Sequence, residues 1–216
     1  MAVLFLAGTV LAVALGPARA PEPVAADTLQ AAVWRIDPTN SELLFRVRHL
    51  VSRVAGTFTD WEGVITGAPP DWDGGRVEVR VRTRSIDTNN ERRDRHLRSP
   101  DFFASDSFPE MSFRSTGVEF AGSALVLRGD LTIRGITRSI VLTGSYLGMT
   151  AGPGGRDRVG FAVAGTIKRL DYGLTWNRAA EGGGLVLGDE VAIEVTVAAE
   201  KVPPGATLGP APGPGA

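Results

Sequence analysis

From residue 32 onward the chain alternates apolar and polar positions with period two, the spacing of strands that turn one face inward. The clearest run is 76–84, where Val77, Val79, Val81 and Thr83 share one face and Arg76, Glu78, Arg80, Arg82 and Arg84 the other. Leu125, Leu127, Gly129, Leu131 and Ile133 form a second such face, and Val159, Phe161, Val163, Gly165 and Ile167 a third. Val191, Ile193, Val195 and Val197 form the last. In 43–50, Phe45, Val47 and His49 oppose Leu44, Arg46 and Arg48. Residues 33–36 are a further strand, as is 54–67, which contains Phe58 and takes Gly56 and Gly63 as bends. Met111, Phe113 and Ser115 alternate before a bulge at Thr116-Gly117, and 140–149 is followed by a glycine-rich loop. The pattern predicts about nine strands in one domain.

Residues 85–103 break the alternation. Asp87, Thr88 or Asn89 offers a side-chain oxygen to cap a helix start. Glu91 with Arg95, and Asp94 with Arg98, are opposite charges four apart, the spacing of neighbours on a solvated helix. Ser99-Pro100 ends the segment, and Phe102 and Phe103 return to an apolar surface. The expectation is one short polar helix laid over an opening in an all-β structure.

Amphipathic strands in series must bury one face and leave no open edge, and closure into an antiparallel barrel of eight to nine strands does both. A barrel of this size is filled by its own side chains or holds one small ligand. Periodicity does not choose between these.

The 216 residues carry a net charge of −1, which gives no reason to expect a nucleic-acid partner. An apolar run followed by small residues at 18–20 and 24–26 reads as an export signal over 1–26, cut after Ala20 or Ala26. The destination is the periplasm or the extracellular side of the cell envelope; an uncleaved membrane anchor is the alternative. The absence of cysteine rules out a disulfide framework without arguing against export. Residues 202–216, rich in Pro and Gly, form a tail with too little to bury, which leaves 32–201 as the domain.

No Gly-x-Ser-x-Gly elbow, cysteine nucleophile or phosphate loop is present, and two histidines without cysteine are thin for zinc. No metal or cofactor is expected, and no catalytic residue is assigned.

The ordered set Trp34-Arg-Ile-Asp37, Phe45-x-Val-x-His49, Gly56-Thr-Phe58, Ser85-Ile-x-Thr-Asn89, Arg92-x-x-x-His-Leu97 and Ser99-Pro-Asp-Phe-Phe103 resembles the YceI-like family of secreted polyisoprenoid-binding proteins. Further similar pieces are Gly129-Asp-Leu-Thr-Ile-Arg-Gly-Ile-Thr137, Arg169-x-Asp-Tyr-Gly173 and Gly188-Asp-Glu-Val191. The resemblance implies a lipocalin-like β-barrel whose tunnel holds a long isoprenoid, a quinone tail or polyprenyl lipid, without catalysis. The Gly-x-Trp signature of true lipocalins is absent.

On that reading the tunnel is lined by Phe45, Val47, Phe58, Val79, Phe102, Phe103, Phe113, Leu131, Phe161 and Val163. His49, Arg92 and His96 are the head-group candidates: His49 is either a satisfied core histidine or a ligand contact, and Arg92 with His96 is either a solvated helix face or a donor pair for quinone carbonyls or phosphate. Arg169 and Asp171 read as a structural pair. An isoprenoid lipid or isoprenoid quinone is the expected ligand. A membrane quinone-using protein is a candidate partner, and the oligomeric state, homodimer included, stays open. The alternatives are an enzyme acting on a bound lipid through His49 and Arg92, and a haem-binding barrel with His49 or His96 as axial ligand.

Overall fold

The computed structural model describes residues 32–69, 72–179, 186–203 and 205–206. The expected export signal lies outside these residues, as does most of the tail.

Among the described residues eleven strand segments and one α-helix follow the chain. They are β1 (Ala32–Ile36), β2 (Glu42–His49), β3 (Ser52–Phe58), β4 (Trp61–Gly67), β5 (Arg76–Arg82), β6 (Ile86–Asp87), α1 (Glu91–Arg98), β7 (Glu110–Ala121), β8 (Ala124–Ile133), β9 (Ile136–Ala151), β10 (Asp157–Lys168) and β11 (Leu187–Lys201). Every pairing is antiparallel. One edge of β11 carries β2 along Leu187 to Thr196 and β1 at Ala199 to Lys201, so β1 and β2 are one kinked strand. Likewise β3 and β4 pair in turn with β2 and β1, and β6 and β5 pair with β3 and β4. The segments therefore make eight up-and-down runs, and β11 closes the last onto the first. Closure leaves little edge open, which is its physical reason; among the described residues the unpaired stretch is at the α1 end, where β6 pairs with β3 alone and only at Thr57 and Phe58.

The kinks are held by side chains. Between β1 and β2, Asp37 accepts from the Thr39 amide (3.0 Å), while Ser41 Oγ donates to the Ala198 carbonyl (3.2 Å) and accepts from its amide (2.9 Å). Beyond β5, Thr83 Oγ1 donates to the Phe108 carbonyl at 2.8 Å. The sequence reading placed bends of the 54–67 run at Gly56 and Gly63; the break lies instead at Thr59-Asp60. Gly56 and Gly63 serve as clearances in the strands: a Cβ on Gly56 would come within 2.5 Å of the Phe45 ring, and one on Gly63 within 2.6 Å of Ile36. The expected bulge at Thr116-Gly117 is present as a register shift between Ser115 and Gly117.

The inward faces are those of the alternation, with the valines of β5 inside and its charged residues exposed. At the end formed by the β4–β5, β7–β8 and β9–β10 turns, Trp72 closes the barrel. It is buried against Trp34 (5.6 Å between rings), Phe161 (5.1 Å) and Tyr146 (6.0 Å). Gly67 makes room for the indole, since a Cβ there would sit 2.7 Å from it. At the opposite end lie the β2–β3 hairpin, α1 and residues 169–176.

Candidate functional site: an apolar cavity with a polar mouth

The barrel interior is not completely filled. A cavity of about 200 Å³ runs among inward side chains of nearly every strand, from Trp72 to Phe45 and Phe103. A second, of about 500 Å³, lies at the α1 end, lined by Val47, His49 and Val54 of the β2–β3 hairpin, by Asn90, Arg92, Arg93, His96 and Leu97, and by Phe102, Trp176 and Leu187. Phe45, Phe103, Arg169, Leu174 and Val191 line both and form the neck between them. Small-molecule sites occupy roughly 300–1,000 Å³, mostly apolar with a few convergent polar groups.

Of the sequence-predicted lining residues, Phe58, Val79, Phe113, Leu131, Phe161 and Val163 face the inner cavity, Val47 and Phe102 the mouth, and Phe45 and Phe103 both. Phe58, on the inner side of the neck, meets Phe45 at 5.8 Å and Phe103 edge-on at 5.7 Å, which packs the two neck rings against the barrel interior. The head-group candidates His49, Arg92 and His96 come together at the mouth, although they arise from two separate elements.

The helix is tied down differently from the sequence reading. Asn90, rather than Asp87, Thr88 or Asn89, is the cap: its side chain accepts from the Arg93 amide at 3.0 Å. Glu91 and Arg95 pair at 2.9 Å as their spacing suggests, but Asp94 and Arg98 do not. Asp94 is buried and accepts from the Thr88 amide (3.0 Å) and hydroxyl (2.5 Å), while Arg98 donates to the Ile86 carbonyl at 2.8 Å. A buried carboxylate gains more by satisfying two donors than by reaching along a wet helix face. Arg93 closes this knot with bonds to Thr88 Oγ1 (2.7 Å) and to its carbonyl (2.8 Å). The helix is thus fixed to the barrel on one side and presents Arg92 and His96 to the mouth.

These two side chains differ. His96 Nε2 bonds Asp101 at 2.8 Å, and its ring stands edge-on to Trp176 (4.8 Å) and Phe102 (5.1 Å). Arg92 is exposed and, among the described residues, has no hydrogen bond or ion pair. The half-buried His49 ring likewise lacks a partner among the described residues.

Arg169 pairs not with Asp171, two residues away, but with Asp189 at 3.0 Å. Its guanidinium also donates to the carbonyls of Gly188 (2.9 Å), Trp176 (2.9 Å) and Leu174. Burial pulls its pKa down, and the Asp189 charge opposes the shift. Arg169 therefore clamps the 174–176 segment to the start of β11 and sets Leu174 at the neck and Trp176 at the mouth. Trp72, Leu174 and Trp176 were missed by the sequence reading because each sits in a connection without periodicity. Among the described residues no three of His, Cys, Asp and Glu converge as a metal site would require.

A closed antiparallel barrel with an apolar cavity and a polar, helix-capped mouth defines the class. The YceI-like domain family matches residues 34–199, and the chain belongs to it. A UPF0312 protein of Staphylococcus aureus is 36% identical over 165 residues, covering 76% of this chain and 94% of that one. The crystal structure of a Campylobacter jejuni YceI protein superposes with a TM-score of 0.64 at 30% identity, covering 72% of this chain and 90% of that one. A solved domain from Saccharophagus degradans, described as polyisoprenoid binding and implicated in plant cell wall breakdown, shares the fold. It has a TM-score of 0.59 at 16% identity and covers 80% of this chain and 100% of that one.

Proposed function

We propose that the chain is a non-catalytic carrier of the cell envelope that holds a long isoprenoid, a quinone tail or polyprenyl lipid, with its tail in the barrel. One observation carries this reading: the apolar inner cavity opens, through a neck shared by five residues, into a mouth where His49, Arg92 and His96 meet. A wholly apolar tail matches the inner cavity and a carbonyl- or phosphate-bearing head matches the mouth. The solved S. degradans domain described as polyisoprenoid binding has a barrel of the same fold and is in keeping with that chemistry. Export after cleavage near Ala20 or Ala26 would put the carrier beside the membrane that supplies such lipids, with a quinone-using membrane protein as the receiving partner.

Organic extraction of the protein purified from its native host, followed by mass spectrometry, tests the reading. The expected result is one unmodified isoprenoid per chain and an intact mass lacking the first 20 or 26 residues. Empty extracts from freshly isolated protein, or a chemically altered lipid, would overturn the carrier assignment.

A further inference from the structure

The mouth has a rim that the carrier reading leaves unused. At the tip of the β2–β3 hairpin Val51 is fully exposed (105%) and Leu50 is exposed at 44%, the only two exposed large apolar side chains of the described residues that are consecutive in sequence. Leu50 holds a left-handed backbone (φ 54°), unusual for a bulky residue, pinned by its amide donating to the Val186 carbonyl at 2.7 Å. Ser52 Oγ closes the turn onto the His49 carbonyl at 3.0 Å. The tip is therefore a fixed apolar point, not a frayed loop. Just behind it Arg48 and Arg53 face each other across the ladder, both exposed. Like charges directly opposed are unfavourable, yet neither has a carboxylate partner among the described residues, whereas Arg46, two positions along, pairs with Glu194. His49 and Val54, the next positions on the same two strands, line the mouth.

We propose that this tip docks the barrel on an anionic bilayer surface, with Leu50 and Val51 inserted among the acyl chains and Arg48 and Arg53 on the lipid phosphates. Charge complementarity selects this occupant: two apolar side chains flanked by an uncompensated arginine pair match the boundary between headgroup and acyl chain, where each half finds its own solvent. The mouth then opens onto the surface from which a membrane lipid would be drawn. The inference rests on the carrier reading for its purpose, but the docking is measured without any isoprenoid.

The test is co-sedimentation of the full chain with vesicles of phosphatidylglycerol and phosphatidylcholine, against phosphatidylcholine alone. Wild type should bind the anionic vesicles and release as salt shortens the Debye length to about 3 Å. V51D should lose about tenfold in partitioning, and the R48Q/R53Q pair about tenfold, with melting unchanged in both. Isoprenoid content, read separately by extraction, should not change, so an empty barrel would speak against the carrier reading and leave the docking result standing. Wild type that ignores anionic vesicles, or variants that bind as wild type does, would overturn the proposal. So would a solution dimer that V51D converts to monomer, because the tip would then be an interface between copies.

Discussion

Arg92 shows how much can hang on one unpaired cation. A tail gains roughly 0.8 kcal/mol per buried methylene-sized group, whereas a charge-assisted contact adds about 1–3 kcal/mol, so the tail sets affinity and the head sets discrimination. Arg92→Ala should weaken an isoprenoid bearing a polar head by roughly ten- to a hundredfold and leave a headless hydrocarbon of equal length unchanged. Equal loss for both in a binding titration would mean a damaged barrel instead. Tyr172 carries a different consequence. Its hydroxyl is buried without a partner among the described residues, and burial, with Asp171 adding and Arg138 opposing, pushes its pKa up to about 12. The unfolded phenol titrates near about 10. The folded state thus resists the phenolate, and stability present below about pH 10 drains away as pH rises toward about 12. Tyr172→Phe should raise neutral-pH stability by about 1 kcal/mol and abolish that alkaline loss, as denaturant unfolding at neutral and alkaline pH would show.

At the scale of an element, α1 owes its position to Thr88, Arg93 and Asp94 rather than to its exposed ion pairs. Asp94→Ala would strand two buried donors of Thr88 at a cost of about 2–3 kcal/mol. Because the knot is local, amide exchange should quicken at 91–98 far more than in β10, and bound ligand should leave faster. Uniform loss of protection would show that the helix is not a separately anchored cap. The existence of this helix was legible from broken alternation, charge spacing and Ser99-Pro100. Its true cap and the fate of Asp94 were not, because two acceptors a residue or two apart look alike until burial decides between them. The same limit hid the Arg169–Asp189 pair, whose partners lie on different elements.

For the whole molecule, period two was enough to name the inward faces of β2, β5, β7, β8, β10 and β11, since a one-residue slip would expose every apolar side chain; it named none for β1, β3, β4 or β9. Phe161→Asp tests the β10 face: the ring is buried against Trp72, Tyr146 and Phe120, and an unpaired carboxylate there costs several kcal/mol. The variant should lose cooperative melting or fall well below wild type in a thermal scan. The kinks that turn eleven segments into eight runs could not be read, because they depend on distant contacts such as Ser41 with Ala198 and Thr83 with Phe108.

That closure has a bearing on the order of events when the chain is made. Among the described residues β11 alone bridges β10 to β1 and β2, so the strands before it cannot close on themselves, and a sheet built without residues 187–201 would have two free edges and a wet apolar inner face. The pairings that seal it join the two ends of the domain, the slowest kind to form and the kind that leaves an intermediate prone to sticking to its neighbours. Holding the nascent chain unfolded until its last strand is available would spare it that state.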